Sequence, residues 1–503
     1  MPLCPMRSVD SRAVSGAAEV EDDEQDSIGT AVLGAGPAGL TAAYVLALRG
    51  ARAAVYEADG TVGGIAKTVE YGDYRFDLGG HRFFTKLGPV QRLWEHMMGE
   101  EFLVRPRLSR IYYRGKFLAY PLQAKDVLSR LGIIESTLCA LSYFRARLHR
   151  QAPQETFQDW VEARFGRRLY NAFFASYTEK VWGIPGSEIQ AEWAAQRIKN
   201  FSFAHAVLSI LGLQKAQMTT LIETFHYPRL GPGQMWERFR SRVEESGIAV
   251  HLLHRCTAIR HEAGRVTEIV IESEDGQRVV AVDGVLSSMA LSELILSLDP
   301  APPQDVVKAA QSLRYRDFCL VALVIDDEQP FPDNWIYLHD PGTRAGRVQN
   351  FGAWSPDMVK PGTTCLGAEY FCFEGDEIWE MDPDDAVALA TRELAGIGLL
   401  DPAKVVGGVK VRVPRAYPMY DKGYREAVLI LRGYLAGFEN LETFGRNGLH
   451  RYNNQDHSMW TAILATLNHL DGTEHDVWSV NADVEYHEQG ELVDELLNVE
   501  LVH

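Results

Sequence analysis

The feature that most constrains the fold is a glycine-rich turn between a predicted strand and a predicted helix near the start of the chain. Its glycines have the spacing G-x-G-x-x-G: Gly34, Gly36 and Gly39. The first permits a tight turn, the second lets backbone N–H groups approach a pyrophosphate, and the third lets the helix pack closely against the strand. The strand ends at Leu33 and the helix covers residues 40–48. The pattern predicts a dinucleotide-binding turn whose phosphates lie at a helix N-terminus.

An acidic residue follows at the end of the second predicted strand, where the ribose hydroxyls of an adenosine would lie. This residue is Glu57, and its carboxylate argues against a 2′-phosphate. A second glycine pair, Gly63 and Gly64, comes shortly afterwards. This extension resembles the fingerprint of the FAD proteins related to glutathione reductase and the amine oxidases. Glycine-rich turns also occur without a ligand, but here strand, helix and acidic residue agree, so we expect FAD rather than NAD.

The charge and the cysteines narrow the function classes. A net charge of −18 without a compensating basic block argues against nucleic acid as the main partner. Six cysteines lack metal-ligand spacing and a CxxC pair, which fits a reducing, cytoplasmic location and predicts no metal site. Apolar runs are shorter than the ~18 residues of a membrane helix, so no membrane insertion is expected.

The nucleotide-binding pattern is interrupted twice, in a chain of 503 residues that exceeds the usual size of one domain. This predicts an α/β fold: a Rossmann-like FAD-binding domain of the glutathione-reductase type with a helical insertion and an antiparallel β-sheet insertion. The predicted segments are a disordered leader (1–27), the FAD-binding domain (28–95, 231–302 and 434–470), a mostly helical substrate domain (96–230), an antiparallel-sheet substrate domain (303–433) and an acidic C-terminal tail (471–503).

Near the end of the chain, residues 454–458 have the sequence NQDHS, preceded by Tyr452 and by the sequence GRNG at 445–448. Beside the FAD pattern, this motif resembles the UDP-galactopyranose mutase family, particularly its eukaryotic-type branch. The resemblance extends over residues 28–470 and is close at the motifs and loose between them. It implies the following FAD-binding residues: Gly34, Gly36, Gly39, Glu57, Gly63, Gly64, Gly80, Gly445, Arg446, Asn454, Gln455, Asp456 and Ser458.

Further motifs occur in the family's order. The sequence GGH at 79–81 resembles a flavin-facing histidine loop, YPLQ at 120–123 is similar to a segment that touches the nucleotide, and KVW at 180–182 resembles a substrate-binding stretch. The resemblance implies the catalytic residues His81, Arg197 and Arg347. It implies the substrate-binding residues Tyr120, Gln123, Phe173, Tyr177, Trp182, Arg197, Arg347, Tyr417 and Tyr452.

Two arginines and two tyrosines from separate insertions are thus expected to converge on one diphosphate: Arg197, Arg347, Tyr417 and Tyr452. Arginine forks give charge-assisted bidentate hydrogen bonds, and tyrosines add donors with little entropy to lose. Without the resemblance, each arginine would equally well be a surface charge, and the tyrosines would be core residues. Thr178 departs from the asparagine that the family usually has in a region that contacts the base, so the base and the sugar stay open.

The implied reaction interconverts the pyranose and furanose forms of a nucleotide-linked hexose, with N5 of reduced FAD as the nucleophile on the anomeric carbon. NAD(P)H is a candidate external reductant, and an oligomer is compatible with the sequence. The main alternative is an FAD-dependent oxidase or desaturase of the amine oxidase or protoporphyrinogen oxidase type, which would need an apolar substrate tunnel. A catalytically idle flavoprotein that acts as a binding module is a third reading.

Overall fold

A computed structural model describes residues 27–120, 133–148, 154–193 and 223–481. The predicted leader lies outside the described residues except at residue 27, and the tail is described only to residue 481. Within these ranges, every helix is too short or too polar to cross a bilayer.

The centre of the fold is a parallel sheet of five strands, called here the nucleotide sheet. Its strand order is Leu441–Thr443, Gly284–Ser287, Thr30–Leu33, Ala53–Tyr56 and Ala249–His251. One face is covered by the helices Pro37–Leu48, Gly88–Met98, Pro232–Glu245 and Gln455–Asp471. Parallel strands are buried on both faces, which explains their short, continuous apolar runs. The predicted strand, turn and helix around the glycines are confirmed, and so is the α/β class.

The opposite face of the nucleotide sheet packs on a sheet of four strands and on three helices. The four strands are Gly276–Ala281, Arg265–Ser273, Arg255–Glu262 and Leu298–Asp299. The three helices are Leu291–Leu296, Gln304–Ser312 and Tyr424–Leu435.

A second, larger sheet of seven strands, the large sheet, carries the substrate side. Its order is Val405–Pro418, Tyr315–Ile325, Thr364–Cys372, Arg347–Asn350, Trp335–Leu338, Ser109–Tyr113 and Lys116–Ala119. Its outer face is covered by the helix Pro383–Gly396 and the short helix Glu377–Glu380, and the helix Phe351–Trp354 follows the fourth strand. The five strands that fall within 303–433 pair with one another in antiparallel fashion, as the sequence predicts.

The large sheet extends beyond the segment predicted for it. Ser109–Tyr113 and Lys116–Ala119 fall in the predicted mostly helical domain, 96–230, but Ser109–Tyr113 pairs in parallel with Trp335–Leu338. The prediction placed these two strands in the wrong unit, because hydrophobic periodicity shows that a strand exists but not which distant strand it pairs with. The sheet is therefore mixed rather than purely antiparallel.

The helical insertion lies against the inner face of the large sheet. Its helices are Ile133–Leu148, Phe157–Phe165, Arg167–Leu169 and Ala175–Trp182, with a π-helical turn at Tyr170–Phe174. A capping box between Thr156 and Asp159 begins the second helix. Two strand pairs, Phe102–Pro106 with Thr224–Pro228 and Thr68–Tyr71 with Tyr74–Asp77, connect this region to the nucleotide sheet.

Candidate active site

The glycine-rich turn has the backbone geometry that its sequence predicts. Gly34 has a φ of +98°, and a Cβ on Gly39 would lie 1.8 Å from the Gly34 carbonyl oxygen. A side chain at either position is therefore incompatible with the turn. The helix Pro37–Leu48 begins directly after Gly36, so its first N–H groups face the space beside the turn.

Glu57 lies beside this turn and contacts backbone amides. Its Oε2 accepts a hydrogen bond from Ala35 N at 2.6 Å and its Oε1 accepts one from Asp59 N at 2.8 Å. Burial raises the pKa of Glu57, and these amides oppose the shift. Gly64 lies against Gly36, which places the second glycine pair next to the first turn. This arrangement fits the ribose and pyrophosphate of FAD.

A second helix N-terminus meets the first. The helix Gln455–Asp471 begins after Asn454 and packs along Pro37–Leu48. A Cβ on Gly445 would lie 3.0 Å from the Ala38 Cβ, so the two segments are in close contact. Asp456 and Ser458 are buried in the first turn of this helix, Asn454 is exposed, and Gln455 Oε1 has no hydrogen bond to the described residues. A helix N-terminus provides the N–H groups and the positive potential that a phosphate requires, and each of these two helices supplies one.

The GGH turn lies against the inner face of the large sheet, where Gly79 is close to Glu369 and Phe318. Gly80 lies against Gln349 of the large sheet and Trp354 of the helix that follows it, and it directly precedes His81. Burial, together with the positive charges of Arg446 and Arg347, lowers the pKa of His81 to about 3. The imidazole is therefore neutral at pH 7, and its buried Nδ1 forms no hydrogen bond within the described part of the chain.

Arg347 is the centre of a hydrogen-bond network on the inner face of the large sheet. Its Nε and Nη2 donate to Glu369 Oε2 at 2.9 and 2.5 Å, and Nη2 also donates to Tyr417 Oη at 2.8 Å. Gln349 Nε2 donates to the other oxygen of Glu369 at 2.7 Å. Burial favours the neutral form of Arg347, but the fully buried Glu369 carboxylate and the nearby tyrosines raise its pKa overall.

The tyrosine pair predicted from the resemblance is present. The rings of Tyr417 and Tyr452 are stacked, with centroids 5.4 Å apart. The Arg446 guanidinium lies over both rings, 4.1 Å from the centroid of Tyr452 and 5.1 Å from that of Tyr417. It also donates to the carbonyls of Ala416 and Asn453, the chain neighbours of the two tyrosines. Arg446 therefore fixes the pair and adds a positive charge that no described carboxylate neutralises.

The other predicted substrate residues that the structure describes are aromatic, and each contacts a neighbouring ring. Tyr177 is stacked on His339, and Tyr120 is exposed, 4.9 Å from the ring of Tyr337. Trp182 is buried 6.2 Å from the Tyr417 ring.

Phe173 is buried against Tyr113, in the core behind the site. Arg197 and Gln123 lie outside the described residues, so the second predicted diphosphate arginine stays a prediction.

Sequence reasoning missed several residues of the Arg347 surroundings. Glu369 is bonded to Arg347 and Gln349 to Glu369. Tyr337 is the cross-strand neighbour of Arg347, and His339 is stacked on Tyr177. A signal for one of them exists. Glu369 is the single charged residue in the strand Thr364–Cys372, in which all nine residues are buried. A carboxylate in such a strand requires a partner, because an unpaired buried charge is costly.

The family model described as "Flavin containing amine oxidoreductase" matches residues 37–418. A solved structure of reduced UDP-galactopyranose mutase has a TM-score of 0.78 at 19% identity, covering 93% of this chain and 98% of that one. A candidate protoporphyrinogen oxidase from Exiguobacterium sp. 255-15 has a TM-score of 0.67 at 16% identity, covering 88% and 100%.

A putrescine oxidase bound to putrescine is also similar, with a TM-score of 0.57 at 17% identity, covering 86% of this chain and 98% of that one. At these identities the solved structures show the shared fold and nothing finer.

Proposed function

The chain belongs to the flavin-containing amine oxidoreductase family and is an FAD-dependent enzyme, and from this premise we propose that it is a nucleotide-sugar mutase. It would interconvert the pyranose and furanose forms of a nucleoside-diphosphate hexose. The observation that carries this proposal is the cluster of Arg347, Tyr417, Tyr452 and Arg446 next to the His81 turn. Charged and hydroxyl groups at the cofactor side of a cleft suit a phosphorylated substrate better than an apolar one.

Donors are available in this cluster for the oxygens of a diphosphate. Arg347 uses Nε and Nη2 for its bonds to described residues, which leaves Nη1 for an incoming acceptor. Burial raises the pKa of Tyr417 well above its usual value, so its hydroxyl keeps its proton at neutral and alkaline pH. Arg197, predicted from the sequence, would add a second fork from the helical insertion.

The cofactor would be held by the paired glycine turns, Glu57 and the two helix N-termini. FAD bound in its reduced form supplies N5 as a nucleophile for the anomeric carbon. The chain itself orients the sugar diphosphate and stabilises the negative charge that develops as the diphosphate leaves. The neutral His81 beside these cations provides a hydrogen-bonding nitrogen without adding a further positive charge.

A second candidate is a flavin oxidase or desaturase, and one observation favours it. The ion pair with Glu369 offsets the charge of Arg347, so the described cluster has a single unpaired cation, Arg446. A cleft with one net positive charge is less selective for a dianion than the sequence alone suggests.

The experiment that separates these candidates is anaerobic incubation of the dithionite-reduced holoenzyme with a panel of UDP-, GDP- and dTDP-hexoses. The products are separated by chromatography and weighed by mass spectrometry. A mutase yields an isomer of unchanged mass from at least one nucleotide sugar. An oxidase yields no isomer from any of them, and the flavin of its oxidised form is instead reduced when an amine or a porphyrinogen is added.

A further inference from the structure

Lys180 is partly buried and is bonded to the protein itself rather than directed at a ligand. Its Nζ donates to the carbonyl oxygens of Leu338 at 2.8 Å, Asp340 at 2.9 Å and Ala345 at 3.2 Å. The Thr343 hydroxyl lies 3.3 Å away as a fourth partner. An ammonium has three hydrogens, so these acceptors use its full capacity. The lysine of the KVW motif is therefore part of the internal structure.

Residues 339–346 connect two strands of the large sheet and are called here the Arg347 loop. Asp340, Thr343 and Ala345 lie in this loop, and Leu338 is the last residue of the strand before it. This loop joins the strand Trp335–Leu338 to the strand Arg347–Asn350. Lys180 bonds both ends of the connection, since Leu338 ends the first strand and Ala345 comes two residues before Arg347. The ammonium thus bridges the two ends of the loop, next to Arg347.

Two further contacts hold the same loop. On the side of Lys180, the Tyr177 ring is stacked on His339 with centroids 4.2 Å apart and planes 9° from parallel. On the other side, the Glu393 carboxylate accepts hydrogen bonds from Arg344 N at 2.7 Å and from Ala345 N at 3.0 Å. The loop is therefore held between the helix Ala175–Trp182 and the helix Pro383–Gly396.

The charge of Lys180 is balanced within this assembly. Burial lowers the pKa of Lys180 to about 8, and the negative charges of Glu393 and Asp340 oppose the shift. His339, the other titratable group that faces it, is neutral because burial and Lys180 lower its pKa to about 3. Hydrogen bonds offset the partial desolvation of this ammonium, and here those bonds all go to the connection that carries Arg347.

We propose that Lys180 is a positioning residue that fixes the Arg347 loop and thereby the place from which Arg347 reaches the substrate diphosphate. The effect on substrate rests on the function proposed above. The effect on the loop does not, because it follows from the hydrogen bonds of the protein alone.

The first test measures the loop without any substrate. Hydrogen–deuterium exchange of the holoenzyme at pH 7 is compared between wild type and Lys180→Met, with Lys410→Met as the matched control. Lys410 Nζ also donates to two backbone carbonyls, of Trp379 and Met381 at 2.7 Å, but far along the chain from the Arg347 loop. We expect faster exchange over 339–350 in Lys180→Met and wild-type exchange there in Lys410→Met. Equal exchange in all three proteins would overturn the proposal.

The second test measures ligand affinity on the same proteins. Lys180→Met should keep its FAD, bind nucleoside diphosphates roughly tenfold more weakly, and raise KM more than it lowers kcat. Lys180→Arg should recover part of the affinity, since it keeps the charge but not the compact three-way geometry. If Lys180→Met fails to fold, Lys180→Arg replaces it in both tests. Its exchange over 339–350 should then be faster than in wild type, and its affinity for nucleoside diphosphates lower.

The outcomes separate the two proposals. Faster loop exchange with unchanged affinity would show that Lys180 holds the loop but does not position Arg347 for substrate, which overturns the inference. Absence of any nucleoside diphosphate binding to wild type would overturn the proposed function, and the exchange comparison would still decide the role of Lys180.

Discussion

Arg347 and Glu369 face each other across two neighbouring antiparallel strands and form a buried ion pair in which two guanidinium nitrogens donate to one carboxylate oxygen. Glu369 is inaccessible to solvent, whereas the Arg347 side chain is partly exposed. The pair therefore fixes the arginine, and Nη1 of its guanidinium makes no hydrogen bond to the described residues. Its partner Tyr417 extends the same network to the tyrosine pair.

The first prediction concerns the stability of this pair. Glu369→Gln removes the buried carboxylate while keeping its shape, and leaves the Arg347 charge without its partner. We expect the free energy of unfolding to fall by roughly 3 kcal/mol, as measured by urea denaturation of the holoenzyme. Glu374→Gln, an exposed change just beyond the same strand, should leave the urea midpoint unchanged. Equal midpoints for both variants would show that the ion pair contributes nothing.

The second prediction concerns the diphosphate. Arg347→Ala should retain FAD and weaken nucleoside diphosphate binding by roughly 1.5–3 kcal/mol, because one charge-assisted contact is lost. Arg347→Lys should restore only part of the affinity, since a point charge cannot reproduce a planar fork. Titration of UDP, GDP and dTDP against the flavin absorbance measures both. Arg344→Ala, on the same loop but paired with Glu377 at the surface, is the control. Wild-type affinity in Arg347→Ala would remove the arginine from the site.

The third prediction concerns FAD binding at the glycine turn. Gly39→Ala would place a Cβ 1.8 Å from the Gly34 carbonyl oxygen, so the turn has to open. We expect this variant to be purified without flavin, whereas Gly433→Ala, where a Cβ has open space, should keep it. Acid precipitation of the wild type should release yellow FAD into the supernatant. Colourless wild-type protein that cannot be reconstituted with FAD would contradict the account.

The fourth prediction concerns the pH dependence of stability. Asp77 is fully buried beside Tyr227 and Thr68, and burial raises its pKa to about 8. Because the folded state then binds the Asp77 proton more tightly than the unfolded state, this group makes stability fall as pH rises from about 4 through 8. Asp77→Asn should remove that loss.

The measurement is the free energy of unfolding at pH 5.5 and at pH 9. The decrease between these two pH values should be smaller in Asp77→Asn than in wild type, by at least about 1 kcal/mol. The exposed Asp73→Asn, in the turn of the same strand pair, should behave as wild type. An identical pH dependence in Asp77→Asn and wild type would show that Asp77 titrates normally.

The sequence predicts the nucleotide-binding half of this fold well, because its signals are local. The glycine spacing, the acidic residue and the apolar strands lie within a few tens of residues of one another. The site on the large sheet depends instead on pairing between distant strands. Periodicity along the chain does not show that Ser109–Tyr113 pairs with Trp335–Leu338.

The partners of Glu369 and Lys180 cannot be identified from the sequence for the same reason. Glu369 pairs with a residue on the neighbouring strand, and Lys180 bonds to a connection more than 150 residues away, at Leu338, a separation of 158. Arg347 and the tyrosine pair were predicted by resemblance to a known family, since by residue type alone the arginine would equally well be a surface charge and the tyrosines would be core residues. That these distant residues lie close together can be seen only when the strand order is known.

The central claim is that the enzyme needs reduced FAD but consumes no electrons in its reaction. It is tested most directly by counting the sugar molecules converted for each flavin reduced. The holoenzyme is reduced once with a single equivalent of dithionite under anaerobic conditions, and an active nucleotide sugar is then added in large excess. The account predicts many turnovers to an isomer of unchanged mass with no further reductant, and none by the oxidised enzyme. Equal activity of the oxidised enzyme under air, or oxidation of one sugar for each flavin reduced, would contradict it.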